Sequence, residues 1–169
     1  MVDVNDLTTK LKSGDPTVRY AAWSGAGPAG APAVVPVGDL LGSADRGTAK
    51  AAKGALEAIA YYSTRPGAGK EAEAVSRELL ILAGPGRPIT VRAEAIHLLG
   101  FTAGPRAVPG LARLLSDPDV RDEARLALEQ IPGRASFDAL RRAVYSAAPE
   151  FQPALQQSIQ SRGMHTKVG

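Results

Sequence analysis

DPDVRDEARLAL, at residues 117–128, repeats a phrase from near the start of the chain, DPTVRYAAW, at residues 15–23. Each copy sets aspartate, proline, valine and arginine at the same spacing and places an alanine three residues after the arginine. Aligning Val18 with Val120 brings Thr48, Val91 and Phe151 into the same register. Four positions after these five anchors stand Ala22, Ala52, Ala95, Ala124 and Leu155, and eight positions after stand Ala26, Leu56, Leu99, Leu128 and Ile159. Apolar residues at i, i+4 and i+8 form one buried stripe of a helix, and a small residue in the middle lets a second helix come close. Asp15, Asp45 and Asp117 lie three residues before their anchors, where a carboxylate caps free backbone N–H groups. Pro16, Pro118 and Pro149 follow one residue later, where a missing donor does no harm. The phrase is a helix start, written once per repeat.

Another helix precedes each of these. Leu111, Leu114 and Leu115 match Val37, Leu40 and Leu41 at i, i+3 and i+4, and Leu7 with Leu11 serves the first repeat. Five antiparallel pairs result. First helices are expected near 4–12, 32–42, 70–83, 105–115 and 136–146, and second helices near 16–25, 46–62, 88–101, 118–131 and 150–160. This is an all-α solenoid, one array over residues 1–163 with repeats at about 4–26, 32–62, 70–101, 105–131 and 136–160. Residues 164–169 are expected to form a flexible C-terminal tail, with fraying from Ser161 on. GAGPAGAPAVVP, at residues 25–36, should cut the first repeat's second helix short. YYSTRPGAGKEA, at residues 61–72, reads as a long loop.

Composition narrows the chemistry. With 169 residues and no cysteine, disulfides, thiolate metal sites and cysteine nucleophiles are excluded. MVDVNDLTTK has no apolar stretch of the signal-peptide kind, and no apolar run approaches the ~20 residues that span a bilayer. A cytoplasmic protein with no membrane partner is the expectation. A net charge of +3 permits an acidic partner or nucleic acid without requiring either.

Motifs for catalysis or cofactors are weak. GAGPAG satisfies G-x-G-x-x-G but follows a helix and contains a proline, against the strand-to-helix setting that a dinucleotide site needs. PGAGKE lacks the first P-loop glycine and has Glu71 where magnesium's hydroxyl ligand belongs. His97 and His165 are the two histidines, and no His/Glu spacing forms a metal set. No catalytic residue, metal or cofactor is therefore assigned.

The pattern AVPGLARLLSDPDVRDEARLALEQI (residues 107–131) resembles a HEAT repeat, of the short bacterial kind also seen in phycobilisome lyases. LKSGDPTVRYAAW is a less complete copy, and ITVRAEAIHLLG matches a second-helix half. The resemblance implies an α-solenoid and no single activity. It also implies that Asp15, Arg19, Arg92, Asp117 and Arg121 form a structural ladder between neighbouring repeats. Ala49 and Gln152 replace the arginine, and Pro88 and Ala148 the aspartate, so the ladder should break there. Within the complete copies, Asp15 with Arg19 and Asp117 with Arg121 stand at i and i+4, a spacing worth only ~0.3–0.5 kcal/mol when exposed.

A solenoid offers a concave face lined by its second helices. With the anchor and +4 positions buried, the +2 and +5 positions should point there. These positions, with His97 beside them, nominate Tyr20, Trp23, Lys50, Lys53, Ile96, His97, Asp122 and Arg125 as partner-binding residues. Trp23 serves equally well as an interface anchor or as an end cap of the core, and Arg125 could simply pair with Glu129. The functional expectation is a non-catalytic scaffold that binds another protein or peptide, of acidic character on the evidence of Lys50 and Lys53. The alternatives are a nucleic-acid binder and, further off, a chromophore lyase-like enzyme. Leu7, Leu11 or Ile159, if uncovered at the ends, would permit end-to-end association.

Overall fold

The computed structural model describes the backbone of residues 2–165. Among the described residues there are ten α-helices and no strand: α1 (Val4–Leu11), α2 (Pro16–Ser24), α3 (Ala31–Gly38), α4 (Arg46–Ser63), α5 (Gly69–Leu82), α6 (Ile89–Thr102), α7 (Val108–Leu114), α8 (Arg121–Gln130), α9 (Arg134–Ser146) and α10 (Gln152–His165). They pair in sequence. The second helices α2, α4, α6, α8 and α10 pack side by side in one layer, and α1, α3, α5, α7 and α9 form the other, with α5 meeting the fourth repeat through a 3-10 turn at Pro105–Ala107. No helix among the described residues is long and apolar enough to cross a membrane.

The stripe that defines the register makes the core. Thr48, Val91, Val120 and Phe151 are buried, as are all five +4 residues. Ala26, Leu56, Leu99 and Leu128 are fully buried at +8. Val18 and Ile159, at the two ends of the row, are half-buried because each has a neighbouring repeat on one side only. Leu7 and Leu11 are buried under the first repeat itself, so the N-terminal end offers no bare leucine surface for self-association.

Capping follows the expected chemistry in the first two repeats. The Thr17 amide donates to Asp15 at 2.8 Å with Pro16 opening α2, and the Thr48 amide donates to Asp45 at 2.7 Å at the start of α4. Hydrogen bonds from Thr48, reinforced by the Arg19 charge, hold the Asp45 carboxyl below the usual carboxylate range. In the fourth repeat the helix starts later than its motif. Asp117 accepts the Asp119 amide in a turn, Val120 has φ −140° and ψ 8°, and α8 begins only at Arg121.

Further boundaries differ from the sequence expectation. The proposed loop at 61–72 is largely helix. α4 runs through Ser63, burying Ala60 and Ser63, and only residues 64–68 connect it to α5. The extra length of the second repeat is thus an 18-residue helix, twice the length of α2. The fraying placed after Ser161 is replaced by helix as far as His165. Arg162 anchors this turn by donating to the carbonyls of Leu128 (2.7 Å), Ile131 (2.6 Å) and Gly133 (2.9 Å), at the C-terminal end of α8. Of the proposed flexible tail at 164–169, the first two residues continue α10 and residues 166–169 lie outside the described residues. The first helix of the second repeat is also interrupted: Pro36 lies inside α3, and a 3-10 turn over Asp39–Gly42 completes the span.

GAGPAG resolves into a helix-to-helix corner. α2 ends at Ser24, Gly27–Ala29 form a 3-10 turn, and Gly30 turns the chain into α3 with φ 64°, a value that favours glycine. A side chain on Gly27 would meet Tyr62 at 2.9 Å, so this corner is packed against the extended end of α4.

Candidate partner-binding face

Each residue of an α-helix turns about 100° from the last. The anchor, +4 and +8 positions therefore centre the buried arc near 40°, and the opposite side carries +2 and +6. Position +5 lies about 100° from the centre of that arc, on the flank. In a layer of parallel second helices the flank faces the next helix. The structure follows this rule at the +5 residues of α2, α4, α6 and α8, and Gln156 of α10, with no second helix beyond it, is exposed.

Trp23, the +5 residue of α2, is partly buried and lies against α4, where a Cβ on Gly54 would meet its ring at 2.9 Å. Lys53, the +5 residue of α4, reaches Glu94 of α6 at 2.8 Å. That hydrogen bond raises the Lys53 pKa. Ile96, the +5 residue of α6, is fully buried. Arg125, the +5 residue of α8, donates to Ser158 of α10 at 2.7 Å and lies 3.6 Å from Glu129. The +5 positions thus staple one repeat to the next. Ile96 is consequently a core residue and not part of any partner-binding surface. Arg125 is largely committed within the fold, and Trp23 is in the first place a packing residue.

The +2 and +6 positions carry the exposed face. Tyr20 is 61% exposed and meets Trp23 edge-on, with ring centroids 5.1 Å apart. Lys50 is exposed, and among the described residues it has no carboxylate within ion-pair reach. Tyr20, Trp23, Lys50 and Lys53 do come together: with Arg19 and Glu57 they line a groove of about 500 Å³ between α2 and α4. Further along, His97 is exposed and stacks edge-on against Phe101 at 5.0 Å. His97 also lines a smaller cleft of about 220 Å³ with Glu123 and Leu126, between α6 and α8. Asp122 is exposed beside it, 3.5 Å from Arg125. Phe101 and Leu126, each about half exposed, were not nominated from the sequence. The signal for them was the +6 and +10 phase, which the +2/+5 choice passed over.

Of the ladder residues, Arg92 and Asp117 join neighbouring repeats directly, whereas Asp15 caps its own helix α2. Arg92 is buried, its Nε donates to the Ala83 carbonyl at 2.9 Å, and its Nη2 donates to Asp117 of the following repeat. Arg19 donates to the Ser13 carbonyl at 2.6 Å and lies against the first turn of α4, close to Gly47 and Asp45. Arg121 finds Ala148 where an aspartate would stand and turns to Glu150 at 3.4 Å, an exposed substitute, with its guanidinium 4.7 Å from the Phe151 ring centre. The i,i+4 pairing within each motif is not what the arginines use: Arg19 and Arg121 both reach elsewhere.

The model of the HEAT-repeat family matches residues 77–160. A comparison with curated proteins finds no match. Similar solved structures include two crystal structures of engineered proteins from the Northeast Structural Genomics Consortium. One is 19% identical, with 97% of this chain and 98% of that chain covered and a TM-score of 0.40. The other is 24% identical, with 95% of this chain and 47% of that chain covered and a TM-score of 0.43. The helix pairs themselves, and not these likenesses, give the fold. Motif, pairing and the match agree, and residues 77–160 of the chain belong to the HEAT-repeat family.

Proposed function

We propose that this protein is a non-catalytic scaffold that binds another protein or peptide on the face formed by its second helices. The observation that carries the reading is the groove at Tyr20, Trp23 and Lys50. It joins an exposed aromatic edge, a seated indole and an unpaired ammonium in about 500 Å³. Aromatic residues held on a rigid wall make good interface anchors, because little side-chain entropy is left to lose. The cations around it suit an acidic, partly apolar ligand. A nucleic-acid ligand is less well supported, since Arg92, Arg121, Arg125 and Lys53 are engaged by Asp117, Glu150, Ser158 and Glu94.

The test uses Trp23, the only tryptophan, as reporter. A random peptide library is panned against the immobilised protein, and the enriched peptides are titrated by tryptophan fluorescence. The expected ligands are acidic with aromatic or aliphatic anchors. Tyr20→Ala, at an exposed position, is expected to weaken them about tenfold or more with unchanged thermal stability. Enriched peptides indifferent to Tyr20→Ala would place binding elsewhere.

A further inference from the structure

Two depressions occur on the second-helix face, and their charges are opposite. The α2/α4 groove is lined by Arg19, Lys50 and Lys53 against the single carboxylate of Glu57. The α6/α8 cleft is lined by Glu123 beside Leu126 and His97, with Asp122 exposed one residue away. Between them the surface is closed by the Lys53–Glu94 bridge, which neutralises both groups. The face therefore has an apolar anchor point at each end, cationic at one and anionic at the other. Packed helices lie 8–10 Å apart, so depressions two helices apart are separated by roughly 16–20 Å. An extended chain at about 3.3 Å per residue crosses that distance in five or six residues.

We propose that the ligand of this face is dipolar. It is one extended segment with a carboxylate and an aromatic side chain at Tyr20, Trp23 and Lys50. Five or six residues away it carries a cation and an aliphatic side chain at Glu123, Leu126 and His97. This rests on the second-helix face being the binding face and adds the charge pattern and the spacing. The charge pattern follows from complementarity, since a uniformly acidic segment would gain at Lys50 and be repelled at Glu123, and the spacing follows from the distance between the two depressions. The exposed groups at each end are screened by salt, so the preference weakens as ionic strength rises.

The experiment uses the full chain and synthetic peptides read by Trp23 fluorescence. Acetyl-Glu-Phe-spacer-Leu-Lys-amide and its order-reversed counterpart cover both chain directions, with Gly-Ser spacers that set Phe and Leu two, five or six residues apart. In the better direction, the five- and six-residue spacings are expected to bind about tenfold tighter than the charge-swapped peptide Lys-Phe-spacer-Leu-Glu, from two exposed ion pairs gained against two like-charge contacts. The two-residue spacing cannot reach both depressions and loses the bivalent advantage. The double variant Lys50→Glu/Glu123→Lys is expected to reverse the charge preference. Equal binding of both charge patterns, abolished in each case by Tyr20→Ala, would overturn the dipolar ligand and leave the binding face standing. Binding untouched by Tyr20→Ala would remove the face as well. No binding by any of the peptides would overturn the dipolar ligand.

Discussion

Arg92→Ala is expected to lower the stability of the fold by about 3 kcal/mol, whereas Arg121→Ala at the same place in the next repeat should cost about 1 kcal/mol or less. The two arginines occupy one motif position, and their surroundings decide the difference. The Arg92 side chain is 5% exposed, and its guanidinium satisfies the Ala83 carbonyl and the Asp117 carboxylate together. Truncation strands a carbonyl, leaves a carboxylate without its partner and empties the space of the aliphatic stem. Asp117 is 30% exposed, so water recovers part of the loss, which keeps the effect at the low end for a buried pair. Glu150, the partner of Arg121, is 65% exposed and meets it at 3.4 Å, where solvent replaces most of what the pair provides. Denaturant unfolding of the two variants measures the contrast. Equal losses would mean that the ladder does not act through burial.

The same pair has a pH signature. The Arg92 hydrogen bond, helped by the Asp119 amide, holds the Asp117 carboxyl below its ordinary range. The folded carboxyl therefore titrates at lower pH than the unfolded one, and unfolding takes up a proton as the solution is acidified. The contribution of the pair is fully present above the ordinary carboxylate pKa of about 4 and is lost as pH falls through the depressed value. Asp117→Asn should remove that part of the acid dependence.

Leu99→Ala is the second large effect. Leu99 is fully buried at the +8 position of the central second helix, and its truncation leaves a cavity with α4, α5 or α8 neighbours unable to close it. A loss of about 3 kcal/mol is expected, with the melting temperature lower by roughly 6–12 °C. Leu126→Ala, on the neighbouring helix but 47% exposed, should change stability by about 0.5 kcal/mol or less. Each repeat touches only its neighbours, so damage at the third repeat also loosens the coupling between the two halves of the row. Calorimetry on both variants gives the comparison.

The architecture was readable because the repeat is written in residues whose physics is local. Asp15 and Asp45 cap helices whatever surrounds them, and the apolar stripe from Val91 to Leu99 has one way to be buried. What escaped the sequence depends on neighbours. Tyr61 and Tyr62 look like the start of a loop before Ser-Thr-Arg-Pro-Gly. They remain helical because Ala60 and Ser63 face the interior and Tyr62 packs on Gly27, 35 residues away in sequence. Ile96 and His97 are adjacent in the chain and have opposite fates, because α8 covers one flank of α6 and nothing covers its outer side. Trp23 needed Gly54 to be understood. The indole lies where a side chain would stand, so the tryptophan walls the groove and packs the first two repeats together in the same act.

That phase of the second helices is the claim on which the binding face depends, and thiol labelling tests it most directly. The chain has no cysteine, so single substitutions are read without background. Ile96→Cys and His97→Cys are labelled under native conditions with a thiol reagent. Residue 97 is expected to react at nearly the rate of a free thiol, and residue 96 to react at least about a hundredfold more slowly, because labelling there requires local opening of the layer. Comparable rates at 96 and 97, or faster labelling at 96, would contradict the arrangement of second helices described here.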